Sequence, residues 1–454
     1  MRHWQLRGTT MANALAVEWL RVTMSFGCRG KPAANKHRMN TEISNFAARL
    51  RESILSEGRV PRDPESEHQG QVGKSRGSSL RDDAAFNFAA LELFALQFQH
   101  NDAYRKICER RLITPETVEH WTQIPAVPTA AFKELEMTCL GPAERAAVFH
   151  SSGTTGQKPS RHFHNAESLA VYEDSLWPWF KSHVLWSGDS LSASSEKRGH
   201  AARTPLVILT PPPVQAPHSS LVHMFEIIRQ KLGAPESAFV GQIGTDGSWT
   251  LDFDVAIAAL RHNPQSAIRK PQLILGTAFS FVHLVDYLAE NNLRFQLPAG
   301  SRVMETGGYK NRSRSMPKIN LHEFITERLG VPPSHIICEY GMSELSSQAY
   351  DGVTGDGWRV TAAAEFRHSS LDTRHFFFPP WARVQIVSPE TGREVAGGET
   401  GLICVFDLAN VFSAVAIQTE DLGIRRGEGF ELIGRAQRAE PRGCSLMTAE
   451  TRKS

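Results

Sequence analysis

The chain has 454 residues, 41% hydrophobic and 22% charged, and a formal net charge of +2. That length accommodates two or three domains with sizeable cores, and a charge so near zero excludes long-range attraction to nucleic acid. Nowhere do about eighteen apolar residues run together, so no membrane-spanning helix is expected.

In chain order, residues 1–40 read as a loosely ordered extension. Glu18 and Arg21 interrupt its apolar stretch, which argues against a signal peptide. Ile43, Phe46, Ala47, Leu50 and Ile54 repeat at helical spacing and predict an amphipathic helix over 41–57. Residues 58–81, with Pro61, Pro64 and several glycines, read as a polar linker, so 41–83 form one helix-plus-linker unit. A strongly apolar helix follows over 83–100, capped by Asp82 or Asp83. Strands are then expected at 206–210, 273–276, 301–306 and 335–340. They alternate with helices at 219–232, about 279–292, and 319–329. That order predicts an α/β domain over 84–370, a parallel sheet with helices on both faces, and ligands beyond the carboxyl ends of its strands. Short strands at 384–387, 401–406 and 430–433, parted by Gly-rich turns, predict a smaller β-rich subdomain over 371–434. Residues 435–454 are a short tail.

Six cysteines (Cys28, Cys108, Cys139, Cys338, Cys404, Cys444) lie far apart with no Cys-x-x-Cys pair. That pattern argues against a zinc knuckle or a disulfide scaffold and fits a reducing cytoplasm.

Four segments carry candidate chemistry. Phe149–Asn165 reads FHSSGTTGQKPSRHFHN and packs Ser151, Ser152, Gly153, Thr154, Thr155 and Gly156 ahead of Lys158, Arg161 and His162. Such a loop can cradle phosphate with backbone amides and hydroxyls; a solvated Ser/Thr/Gly turn is the plain alternative. It is neither a Walker A loop nor a Gly-x-Ser-x-Gly elbow. His162 and His164 beside it can position phosphate or carboxylate, or serve as structural donors. Glu339–Glu344 (EYGMSE) follows a strand: Glu344 suits Mg²⁺, Tyr340 can stack on a base, and Gly341 and Ser343 complete the turn. Gly307-Gly308 at another strand end permits close approach by a planar group. Asp421 in Thr419–Gly423 can accept from ribose hydroxyls, and Arg435 can reach ribose or phosphate. Each segment alone is equally an ordinary turn.

Taken together and in this order, they resemble the adenylate-forming ligases, the group that includes the acyl-CoA synthetases. The resemblance implies ATP bound by the Ser151–Gly156 loop and Lys158, adenine at Gly307-Gly308, Mg²⁺ at Glu344, and ribose at Asp421 and Arg435. Two departures stand out: Ser343 replaces a threonine, and Glu420 replaces a glycine. Only residues 436–454 follow Arg435, where acyl-CoA synthetases carry a further lid domain. A shorter branch fits better. FNFAALELFALQFQHNDAYR, IPAVPTAAFKE, FHSSGTTGQKPSRH, SSLVHM, ETGGYK, ICEYGMSELSSQAYD and IGRAQRAEPRGCSL are similar to the LuxE-type acyl-protein synthetases, from about Phe86 to Leu446. That family carries acyl groups on a cysteine near the carboxyl end, which implies Cys444 here; Arg435, Arg438 and Arg442 nearby favour its thiolate. The implied function is ATP-dependent activation of a carboxylic acid, of the fatty-acid kind, with transfer to a thiol, alongside an acyl-accepting reductase or carrier protein. Alternatives are a ligase charging CoA or a carrier protein, and a non-catalytic nucleotide-binding remnant or partner-dependent subunit.

Overall fold

A computed structural model describes residues 34–58, 79–151, 158–185, 204–261, 270–307, 316–353 and 374–436. Helix α1 runs Ala34–Glu57, so it begins before residue 41 and includes part of the expected extension. Helix α2 (Asp83–His100) is capped by Asp82, whose carboxylate accepts from the Ala84 amide. Asn101 ends it and caps α3 (Asp102–Arg110) by accepting from Tyr104 N–H. The chain continues through β1 (Val127–Pro128), α4 (Ala131–Glu134), the hairpin β2 (Ala147–His150) and β3 (Arg161–His164), and α5 (Ala166–His183). Next come β4 (Leu206–Ile208), α6 (Ser220–Leu232), β5 (Ala238–Phe239), the hairpin β6 (Gly241–Ile243) and β7 (Trp249–Leu251), and α7 (Phe253–Leu260). The central alternation is β8 (Leu273–Thr277), α8 (Ala278–Glu290), β9 (Arg302–Thr306), α9 (Lys318–Leu329) and β10 (Ile336–Tyr340). Last are β11 (Ala349–Val353), β12 (Arg374–Phe377), β13 (Ala382–Val387), β14 (Thr400–Asp407), β15 (Ala416–Arg426) and β16 (Gly429–Arg435).

Twelve strands form one sheet in the order β13-β14-β15-β16-β12-β11-β10-β9-β8-β4-β5, with β1 parallel to β15. Strands β10, β9, β8, β4 and β5 are parallel, as expected. Apart from β1–β15 the remaining pairs are antiparallel, so the sheet is mixed rather than parallel. The connection 341–348 after β10 is too short for a crossover, which takes about a dozen residues, so β11 must return antiparallel. The β-rich segment therefore continues the same sheet. Its seam is the β12–β16 pair, which meets at Phe376 and Phe430.

Alternation along the parallel strands explains burial on both faces. Leu206, Ile208, Leu273, Leu275 and Met304 join one core with α2, α5 and α6. Val207, Ile274 and Val303 point the other way, into a second core with α7, α8 and α9. Each fully buried aliphatic side chain contributes about 1.5–3 kcal/mol. Among the described residues no helix is long and apolar enough to cross a membrane.

Candidate functional site

Three segments far apart in sequence meet beyond the carboxyl end of β10. The first is the β2–β3 hairpin, whose register sets Phe149 opposite His162 and His150 opposite Arg161. Its arms close on Ser151, whose Oγ accepts from Ser160 N–H at 2.9 Å. The loop they carry, from Ser152 to Gly156, lies outside the described residues. The second segment is the turn after Tyr340. The His162 ring donates from Nδ1 to the Ser343 carbonyl at 2.9 Å, and Ser160 Oγ lies 3.4 Å from Ser343 Oγ. Ser343 Oγ in turn donates to Glu344 Oε2 at 2.9 Å. The base of the glycine-rich loop is thus hydrogen-bonded to the acidic turn.

Burial fixes the charge states here. Glu344 is only 1% exposed. Burial lowers His162 to about 4 despite the Ser343 carbonyl and the Glu344 charge, so the ring is neutral at pH 7 and acts as a donor, not as an acid. The His164 ring lies 4.2 Å from that of His162, tilted by 46°, and burial holds it well below the usual histidine range. Lys158 pairs with Glu134 Oε2 at 3.3 Å on the surface, and Arg161 lies 3.6 Å from Glu136.

The third segment is β15–β16. Asp421 was expected in a turn. It lies instead within the eleven-residue β15, just before the register shift at Leu422/Gly423, because both its neighbours are paired. Arg435 faces it across the ladder, with Nε 3.6 Å from Asp421 Oδ1. The two expected ribose residues are therefore together. Glu420, the departure noted above, accepts from Arg435 Nη2 at 2.6 Å and so shares its guanidinium. Tyr340 corrects another expectation. Its hydroxyl donates to Asp421 Oδ2 at 3.0 Å, and its ring is enclosed by Phe376, Phe378 and Phe430 at 5.3–6.3 Å. It is 7% exposed and orients Asp421 rather than offering a face to a base. Gly307 has φ +76°, which suits glycine at the end of β9; Gly308 lies outside the described residues, as does Cys444.

Sequence reasoning missed three supports. Asp407, at the end of β14, accepts from the Ser346 and Ser347 amides, the Ser347 hydroxyl and the Ala409 amide at 2.7–3.0 Å. Asn410 donates to the Glu344 carbonyl at 3.1 Å, and Gln97 of α2 in turn holds the Asn410 and Val411 carbonyls. The available signal was a glutamine on the apolar face of α2. Asp407→Ala leaves several buried donors unsatisfied at about 1–3 kcal/mol each, so urea unfolding should show a loss of about 3 kcal/mol or more.

The third is Glu339. Burial raises it to about 7, against a hydrogen bond from Thr306 Oγ1. Gly341 is required beside it, because a Cβ there would meet Glu339 Oε1 at 2.3 Å. A carboxyl raised in the folded state binds its proton more tightly than in the unfolded chain. Stability from this group is therefore present below about pH 4.5 and lost as pH rises through about 7. Glu339→Gln should remove that loss: parent and variant should match at acid pH, with the variant more stable at pH 8 by on the order of 3 kcal/mol. Denaturant midpoints at pH 4.5 and 8 check this.

Residues 236–452, which include Glu344, Asp421, Arg435 and Cys444, match the family model for acyl-protein synthetase, LuxE. Over that stretch the chain is similar to the LuxE acyl-protein synthetases. It is 21% identical over 369 residues to a long-chain-fatty-acid–luciferin-component ligase of Aliivibrio fischeri, covering 79% of this chain and 86% of that protein. The protein of the same name from Vibrio harveyi is 22% identical over 367 residues, covering 79% and 85%. Among solved structures, an open conformation of 2-hydroxyisobutyryl-CoA ligase with 2-HIB-AMP and CoA superposes with a TM-score of 0.51 at 13% identity, covering 81% of each chain. The same ligase in its thioesterification state scores 0.51 at 14% identity, covering 82% and 74%. At such identities the likeness is one of fold, and this chain has the fold of the adenylate-forming ligases.

Proposed function

We propose that this protein activates a carboxylic acid of the fatty-acid class with ATP and passes the acyl group to a cysteine thiol. The observation that carries the reading is the joining of the β2–β3 hairpin, whose arms flank the glycine-rich segment in sequence, to the turn that carries the buried Glu344 carboxylate. The names of the two luciferin-component ligases support the acid class. In the first step a carboxylate oxygen bonds to the α-phosphorus of ATP, the bond to the bridging oxygen breaks, and pyrophosphate leaves. The hydroxyls of Ser151, Ser152, Thr154 and Thr155, the amides of Gly153 and Gly156, and Lys158 hold the outgoing phosphates, for which Lys158 leaves Glu134. His162 is a positioning residue that locks the hairpin to Ser343. Asp421 and Arg435, aligned by Tyr340, take the ribose, and the Gly307-Gly308 and Tyr340-Gly341 segments are the proposed adenine contacts. Glu344 with its neighbouring hydroxyl is a hard oxygen donor set that fits Mg²⁺, which when bound neutralises charge on the phosphate oxygens.

In the second step a thiolate bonds to the acyl carbon and AMP leaves. Burial pushes Cys108 and Cys404 up to about 12 and also raises Cys139 and Cys338, so these four stay protonated. Cys444 is the proposed carrier. An acyl-accepting reductase or carrier protein would then receive the group. Incubation with a labelled long-chain acid and MgATP should give acyl-protein released by neutral hydroxylamine. Label found only on added CoA would instead assign an ordinary acyl-CoA ligase.

A further inference from the structure

Behind the strands that carry the site, three metal-binding side chains converge that the proposed reaction does not use. Glu305 of β9 and Cys338 of β10 are opposite one another in the parallel register, and His322 of α9 reaches them from the covering helix. Cys338 Sγ lies 3.0 Å from Glu305 Oε1 and 3.8 Å from His322 Nε2, and His322 Nε2 lies 3.5 Å from Glu305 Oε1. All three are at most 1% exposed.

We propose that Glu305, His322 and Cys338 form a binding site for a divalent transition metal, Zn²⁺ by donor chemistry. Tetrahedral zinc with its usual bond lengths to sulfur, nitrogen and oxygen needs donor–donor edges of about 3.4–3.6 Å, close to this triangle. Sulfur and imidazole select against Mg²⁺ and Ca²⁺, so the site is chemically distinct from the Glu344 carboxylate. The triad is braced from behind. Asp351 Oδ1 accepts the Cys338 amide at 2.7 Å, and Arg374 Nη1 holds Asp351 Oδ2 at 3.0 Å. The present counter-cation is Lys318, whose ammonium sits 3.1 Å from Glu305 Oε1. Its side chain is 45% exposed, and in this proposal the metal replaces it as the counter-charge to Glu305. Zinc would displace the thiol proton and the lysine, and would pin α9 to the two central strands.

The test is metal loading of the full chain after chelator treatment, followed by gel filtration and elemental analysis, with Co²⁺ as a spectroscopic probe. The expected result is one Zn²⁺ per chain and a thiolate-to-cobalt charge-transfer band. Both should be lost in Cys338→Ser, and affinity should be at least tenfold tighter in Lys318→Met. Should Cys338→Ser fail to fold by circular dichroism, His322→Gln, read by loss or change of the cobalt spectrum, decides. Substoichiometric metal in both the parent and Lys318→Met overturns the proposal, as does a cobalt–thiolate band that survives in a folded Cys338→Ser.

Discussion

Glu344→Gln should reduce acid-dependent ATP–pyrophosphate exchange by about 10²–10³-fold, the usual cost of removing one preorganised electrostatic group from a transition state. The substitution is nearly isosteric. Ser343 Oγ can still donate to the amide oxygen, and Asn410 still holds the backbone carbonyl, so the fold should persist. What disappears is a carboxylate oxygen on a side chain only 1% exposed, where little solvent can replace it. Unchanged thermal unfolding beside the lost exchange separates this effect from general damage. A loss of less than about tenfold would remove Glu344 from its assigned place at the metal and phosphates.

Cys444→Ser should leave pyrophosphate exchange near the parent rate and abolish the hydroxylamine-labile acyl-protein. The two half-reactions use different groups: adenylate formation needs the hairpin loop and Glu344, whereas transfer needs a nucleophile of high thiolate content. The buried thiols cannot substitute. Cys404 lies in the middle of β14, and Cys338 is packed between Glu305 and His322. Persistence of the thioester in Cys444→Ser would transfer the carrier role to another cysteine. Loss of exchange together with the thioester would tie Cys444 to the first step.

Where local signals were strong, elements were legible in the sequence. Asp82 and Ser219 cap their helices through local hydrogen bonds, and the apolar strands β8, β9 and β10 fall where alternation with helices puts them. Helix α5 was not foreseen; Pro178 lies inside it and breaks the usual pattern. The strand around Asp421 read as a turn because Gly423 follows closely. That glycine is there for packing, since a Cβ would meet Ile403 Cγ1 at 2.9 Å. The candidate site segments stood out because each is a contiguous motif in the sequence. Asp407, Asn410 and Gln97 were not, because they act on backbone groups 60 to 314 residues away, which no local pattern records. Glu339 was visible in the motif, but its raised carboxyl follows from burial, which only the packed sheet creates.

The most direct measurement is ATP–pyrophosphate exchange by the purified chain across acids from acetate to long fatty acids, with aryl acids and Glu344→Gln for comparison. Exchange confined to one acid class, long aliphatic acids, and lost in the variant is the predicted result. Measurable ATP binding with no exchange from any acid would contradict adenylation by this chain and leave a nucleotide-binding protein that needs a partner to react.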